Sequence, residues 1–191
     1  MPDVIAENLF TVPNLLSPAE CADLIARGEA MGFEAASVAT GAGPQMLTNI
    51  RNNDRVTFDD PAYAQTLWER AKQHVPDAST TVNPIGLNER FRFYRYDSAQ
   101  RFKGHRDGVV ERSPTERSRL TFMIYLNENF EGGQTVFYSE SRINGLREMV
   151  ASIEPRTGMG LFFAHEWWHE GAPVLTGRKY VLRTDVMFKA G

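Results

Sequence analysis

The chain has 191 residues, of which 42% are apolar, a formal net charge of −3 and one cysteine, Cys21. That length suits a single domain with a sizeable core, and the nearly balanced charge argues against a nucleic-acid partner. No apolar run approaches the roughly 20 residues of a membrane helix, and a lone cysteine excludes an intrachain disulfide and all but excludes a thiolate metal site.

The opening MPDVIAENLFTVPNLLS lacks a basic n-region and a continuous apolar stretch. The expectation is therefore no secretory signal, and a cytoplasmic, non-membrane protein. Ser17-Pro18-Ala19-Glu20 predicts a helix start: serine caps, proline takes the first helical position, and glutamate closes a capping box. Apolar Cys21, Leu24, Ile25 and Met31 continue the pattern, and Gly32 should stop it. Residues 37–49 are rich in Gly, Ser and Thr and read as a loop. Asp60-Pro61 opens a second helix with Tyr63, Leu67, Ala71 and Val75 on one stripe, ended by Pro76. Beyond residue 80 the texture turns to strands: RFRFYRY (90–96), LTFMIYLN (120–127), MVASIEP, GLFFA and YVLRTDVMF, punctuated by Glu131-Gly132-Gly133 and Thr176-Gly177. Residues 1–191 are thus expected to form a single domain. Residues 1–79 would be a helical support and substrate-loop region, and 80–191 an antiparallel β-sandwich or jelly-roll core with the helices outside.

Residues 165–169 spell HEWWH, the pattern that holds zinc when its histidines share one face of a helix. The helical context fails here. Gly158 and Gly160 precede the motif, and Gly171 and Pro173 follow it. A different set is more promising. His105 and Asp107 stand two apart, so on an extended strand they share a face. His169 lies 64 residues after His105 in a β-rich stretch. Two histidines and one carboxylate on one face of an octahedron leave positions open for a cosubstrate and O₂, the arrangement of non-haem Fe(II) oxygenases.

With these pieces in order, the sequence resembles the Fe(II)- and 2-oxoglutarate-dependent dioxygenases, in their prolyl 4-hydroxylase-like branch. The matching pieces are FYRYDSAQRFKGHRD, LTFMIYLN, EGGQTVFY, GMGLFFA and HEGAPVLTGRKYVLRTDVMF, about residues 86–188. The resemblance implies a mainly β fold with N-terminal helices and a double-stranded β-helix (jelly roll, cupin-like) core. It implies Fe(II), 2-oxoglutarate and O₂ as cofactor and cosubstrates, with ascorbate as an optional accessory. His105, Asp107 and His169 match the iron ligands. Lys179 matches the basic residue that pairs with the distal carboxylate of 2-oxoglutarate, and Tyr96 and Thr121 match hydrogen-bonding positions around it. His165 has no ligand role. Phe102 stands where these enzymes often carry tyrosine.

The charges fit those roles. Burying a carboxylate of 2-oxoglutarate unpaired would cost several kcal/mol, which a cation offsets. Lys179 and Arg183 share strand parity, so Arg183 is either a second cosubstrate-binding charge or half of a core ion pair with Asp185. Arg178 should face outward. Trp167 and Trp168 are expected as core and rim packing, Phe122, Ile124, Phe162 and Phe163 as core, and His74 as a surface residue. The basic residues between 90 and 119 form either a solvated sheet face or an anion-attracting patch. Two polar stretches, 39–55 and 107–118, are expected as substrate loops. Arg51, Asn53 and Arg55 alternate in the first and could meet a substrate carboxylate or peptide carbonyls. Because Asp107 is present, hydroxylation of an aliphatic C–H is expected rather than halogenation. The substrate would be a prolyl or other residue of a peptide or protein, or alternatively a free amino acid or small molecule. The rival of another class is a jelly-roll module that binds metal or 2-oxoglutarate without turnover.

Overall fold

A computed structural model describes residues 1–41, 43–76, 82–143 and 146–190. In sequence order the elements are β1 (Asp3–Ala6), β2 (Leu9–Val12), α1 (Pro18–Met31), β3 (Glu34–Ala35), β4 (Val38–Thr40), β5 (Gly43–Gln45), β6 (Asp54–Asp59) and α2 (Pro61–Ala71). There follow β7 (Val82–Leu87), β8 (Arg90–Tyr96), β9 (Phe102–His105), β10 (Glu116–Tyr125), β11 (Glu131–Gly132), β12 (Thr135–Ile143) and β13 (Leu146–Ile153). The last four are β14 (Gly160–Ala164), β15 (Trp168–Gly171), β16 (Val174–Thr176) and β17 (Lys179–Ala190).

Both helices begin as their caps dictate. Ser17 accepts from the Glu20 backbone N–H while the Glu20 carboxylate accepts from the Ser17 N–H, a complete capping box, and Asp60 caps α2 through the Tyr63 N–H. Gly32 ends α1 at φ 82°. Met31, expected on the apolar stripe, is exposed instead, because α1 buries Cys21, Leu24 and Gly28. The stretch expected as a loop over 37–49 contains the β4–β5 hairpin.

The main antiparallel sheet runs β1-β2-β14-β10-β17-β8-β6-β3, with β7 added beside β17; the second runs β13-β12-β15-β9. Residues 1–79 therefore contribute strands to the main sheet as well as helices. Strand parity sorts the core into two layers. Phe91, Phe93, Leu120, Phe122, Ile124, Phe162, Leu182 and Val186 join α1 and α2 on the outer side of the main sheet. Tyr94, Tyr96, Met123, Tyr125, Leu161, Phe163 and Val181 meet Phe137 and Ile153 of the second sheet in the interior. The apolar run LTFMIYLN is continuous because both faces of β10 are covered. The architecture is the expected double-stranded β-helix, and its interior positions carry the candidate site.

Candidate functional site

His105 on β9 and His169 on β15 face each other across the second sheet as register partners. Asp107 follows β9 directly. One ligand atom from each of these three residues lies within 4.8 Å of the others. The hydrogen bonds behind the rings fix their tautomers. His105 Nδ1 is 2.8 Å from the Lys103 carbonyl oxygen and His169 Nδ1 is 2.9 Å from that of Trp167. A carbonyl only accepts, so each Nδ1 carries the hydrogen, and in the neutral ring each Nε2 presents a lone pair. Both Nε2 atoms face the same carboxylate, 3.7 Å from Asp107 Oδ1 and Oδ2 respectively. That gap is too long for a hydrogen bond and suits a shared cation. Burial holds both imidazoles below the ordinary histidine range, His105 to about 3 with help from His169, so both are neutral donors near neutral pH. Burial pushes the Asp107 carboxyl up, but Arg183 and the two histidines outweigh it and hold the group well below the usual carboxylate range. Backbone-oriented neutral imidazoles and an ionised carboxylate form a donor set that fits Fe(II).

His165 lies outside this set. HEWWH is a turn followed by β15, so its two histidines share no helical face. His165 is buried among polar partners: its Nε2 is 2.8 Å from Ser118 Oγ and its Nδ1 is 3.1 Å from Thr121 Oγ1. Thr121 in turn donates to Asp107 Oδ2 at 2.6 Å. Since the Thr121 hydrogen goes to the carboxylate, Thr121 must accept from His165 Nδ1–H, and His165 Nε2 then accepts from Ser118. Thr121 was expected near a cosubstrate carboxylate. It instead steers Asp107, because it sits opposite Asp185 in the β10–β17 register, away from Lys179.

A small cavity of about 30 Å³, open to solvent, adjoins the triad; its walls include Tyr94, Tyr96, Phe102, Thr135, Lys179 and Arg183. Lys179 is buried with no acidic partner among the described residues. Its Nζ donates to the Gly133 carbonyl at 2.5 Å and lies 5.3 Å from the ring centroids of both Tyr96 and Tyr125. Burial alone lowers its pKa from the ordinary 10.5 to about 7. The hydroxyls at this end are those of Tyr125 and Thr135, 2.6 Å apart, together with Tyr96. The sequence reading missed Tyr125 and Thr135. An inward-facing hydroxyl on β10, or one just after the Gly132-Gly133 turn, was the available signal.

Arg183 makes the expected ion pair with Asp185. It lines the cavity, and its Nη2 lies 3.1 Å from Asp185 Oδ1 and 3.2 Å from Asp107 Oδ1. Arg178 faces outward and pairs with Asp97. The basic stretch is mostly laced to acids: Arg90 to Asp59, Arg92 to Asp185, Arg95 to Glu29 and Asp54, Arg106 to Glu140 and Arg112 to Glu89. In the expected substrate loop, Arg51 and Asn53 are buried and Arg55 is half-buried. The loop is pinned to β9 through the Arg51–Phe102 bridge and the Lys103 N–H to Ile50 bond. Among the described residues, no helix is long and apolar enough to cross a membrane.

Residues 91–184 match the family model of the 2OG-Fe(II) oxygenase superfamily. A probable prolyl 4-hydroxylase 9 of Arabidopsis thaliana is 29% identical over 122 residues, 54% of this chain and 42% of that protein, so the match spans less than half of that relative. A collagen prolyl hydroxylase of Paramecium Bursaria Chlorella virus-1, solved with 2OG, superposes with a TM-score of 0.61 at 20% identity over 93% of this chain and 94% of that one. A Trichoplax adhaerens prolyl hydroxylase, solved with a hypoxia inducible factor peptide fragment, superposes with a TM-score of 0.70 at 15% identity, covering 94% and 83%. Fold, donor set and family match agree: residues 91–184 match the 2OG-Fe(II) oxygenase superfamily, and the likeness of the chain runs to the prolyl hydroxylases.

Proposed function

We propose that the protein is an Fe(II)- and 2-oxoglutarate-dependent dioxygenase that hydroxylates an aliphatic C–H of a prolyl or other residue in a peptide or protein. The observation that carries this reading is the pairing of two sites in one cavity. At one end two Nε2 lone pairs stand beside the Asp107 carboxylate; at the other is a buried lysine with no acid to neutralise it among the described residues. When bound, Fe(II) with 2-oxoglutarate and O₂ supplies the oxidant, and the cosubstrate leaves as succinate and CO₂.

In this reading His105, Asp107 and His169 hold the metal. Lys179 receives the distal carboxylate of 2-oxoglutarate, with Tyr125, Thr135 and Tyr96 as nearby hydroxyls. The Gly133 carbonyl holds Lys179 Nζ toward that end before any ligand arrives. Thr121 and Arg183 keep the Asp107 carboxylate turned toward the histidines. Phe102 stacks on the His105 ring with centroids 3.6 Å apart and shields that ligand from water. The relatives named prolyl hydroxylases favour a prolyl target.

The test is substrate-dependent succinate release from 2-oxoglutarate, with Fe(II) and O₂, across a panel of proline-containing peptides and free amino acids. Release that rises with a peptide, together with a product heavier by one oxygen, upholds the reading. Metal and 2-oxoglutarate binding with no release from any member of the panel would leave a binding module instead.

A further inference from the structure

Arg51 is the least explained charge in the interior. It is buried to 5% exposure, yet among the described residues its only side-chain hydrogen bond is Nε to Asn53 Oδ1 at 2.7 Å, a neutral partner. Its guanidinium lies between two rings that line the cavity, 4.6 Å from the Tyr94 centroid and 4.4 Å from that of Phe102, and its Nη2 has no hydrogen-bond partner among the described residues. Ring faces attract a cation but do not neutralise it. Arg55 is in the same position: its bond is to Ser37 Oγ at 3.3 Å, with no carboxylate among the described residues. Burial lowers the Arg55 pKa, and the nearby charge of Arg51 lowers it further.

The metal and cosubstrate end balances without them. A divalent metal and the Lys179 ammonium are cancelled by Asp107 and dianionic 2-oxoglutarate. Arg183 and Arg92 share Asp185. What remains is the one positive charge by which Arg183 and Arg92 exceed Asp185, and those of Arg51 and Arg55 around Tyr94, which meet no carboxylate among the described residues. Uncompensated buried charge is costly, and a guanidinium fork matches a carboxylate.

We propose that the pocket takes a substrate that brings a carboxylate of its own, received by Arg51 and Arg55 beside Tyr94. The inference rests on the hydroxylase reading and narrows its substrate to an acidic peptide segment, the carboxylate coming from a side chain next to the target or from the peptide's own C-terminus. The same positive field is felt by Tyr94. Burial raises its phenol pKa, but Arg183, Arg51 and Arg92 more than reverse that and bring it to about 8.

Three forms of one proline-containing peptide test this. The first is amidated with Glu beside the proline, the second amidated with Gln there, and the third carries Gln with a free C-terminal carboxylate. Binding is measured by calorimetry without O₂, on protein loaded with 2-oxoglutarate and Mn(II) as a redox-silent ion. At least one carboxylate form should bind about tenfold or more tighter than the neutral amide, and which one does so identifies the source. Arg51→Gln and Arg55→Gln should each shrink that ratio toward one; Arg55 is only half-buried, so its variant stands even where loss of Arg51 perturbs folding. Equal binding by all three peptides, or binding by none, overturns the inference. Succinate release separates it from the reading it rests on. Equal turnover of all three keeps the hydroxylase and removes the anion subsite, whereas acid-selective binding with no turnover does the reverse.

Discussion

At the scale of single residues, the molecule spends its polar side chains on two tasks: aiming a carboxylate and keeping a lysine unpaired. Thr121 serves the first. Thr121→Val should weaken metal binding by about ten- to a hundredfold, as loss of the groups behind a metal ligand generally does. Competition against a chelating dye measures this. Ser118 and His165 act through Thr121, so His165→Leu should add little once Thr121 is gone, and a double-mutant cycle that is strictly additive would remove His165 from this relay of hydrogen bonds. Lys179 serves the second task. With its pKa lowered to about 7, it is an ammonium below that pH and increasingly neutral above it. Affinity for 2-oxoglutarate should therefore fall as pH rises past 7, approaching about tenfold per unit, with proton uptake on binding that calorimetry in paired buffers detects. The stability sign runs the other way. Between about 7 and 10.5 the unfolded protein holds a proton that the folded one has released, so Lys179 alone makes the apoprotein more stable as pH climbs through that window.

At the scale of elements, strand β17 shows how chemistry and packing divide one sequence. Lys179, Val181, Arg183 and Asp185 turn inward, while Leu182, Val186 and Phe188 cover the helix side. That alternation was legible, as were the two capped helices and the failure of HEWWH to form a helix, because each is set by neighbours a few residues apart. What depends on distant pairing was not. β6 was missed because DRVTFD gains its strand from β8, 31 to 41 residues away along the register. Arg51 and Asn53 read as residues of a substrate loop, and their burial comes from β8 and β9 folding over them. Thr121 and Thr135 are both plausible hydroxyls in sequence; only the register separates the one on Asp107 from the one beside Lys179. The turn before β12 is the sharpest local constraint. Gly133 sits at φ 68°, and a Cβ there would come within 3.2 Å of Lys179 Cδ and 3.1 Å of Phe130. Gly133→Ala should cost about 1–2 kcal/mol in a denaturant titration, from the left-handed backbone alone. It should also weaken 2-oxoglutarate binding more than metal binding.

At the scale of the whole molecule, the two halves of the site ride on different sheets. His105 and His169 belong to the second sheet, and Lys179 and Arg183 to the main one. A ligand that touches both ends must bridge them, so metal and 2-oxoglutarate together should raise the melting temperature by more than the sum of their separate effects. Thermal melts with Mn(II), with 2-oxoglutarate, with both and with neither check this, and a purely additive shift would count against a bridging ligand. The distance between the sheets then works as a gauge for carbon backbones. A diacid one carbon shorter or longer, held at one end, would leave its other end out of reach of its partner. Such a molecule should act as a loose clasp, giving less of the extra stabilisation than 2-oxoglutarate, so the jelly roll measures its cosubstrate by length before any bond is broken.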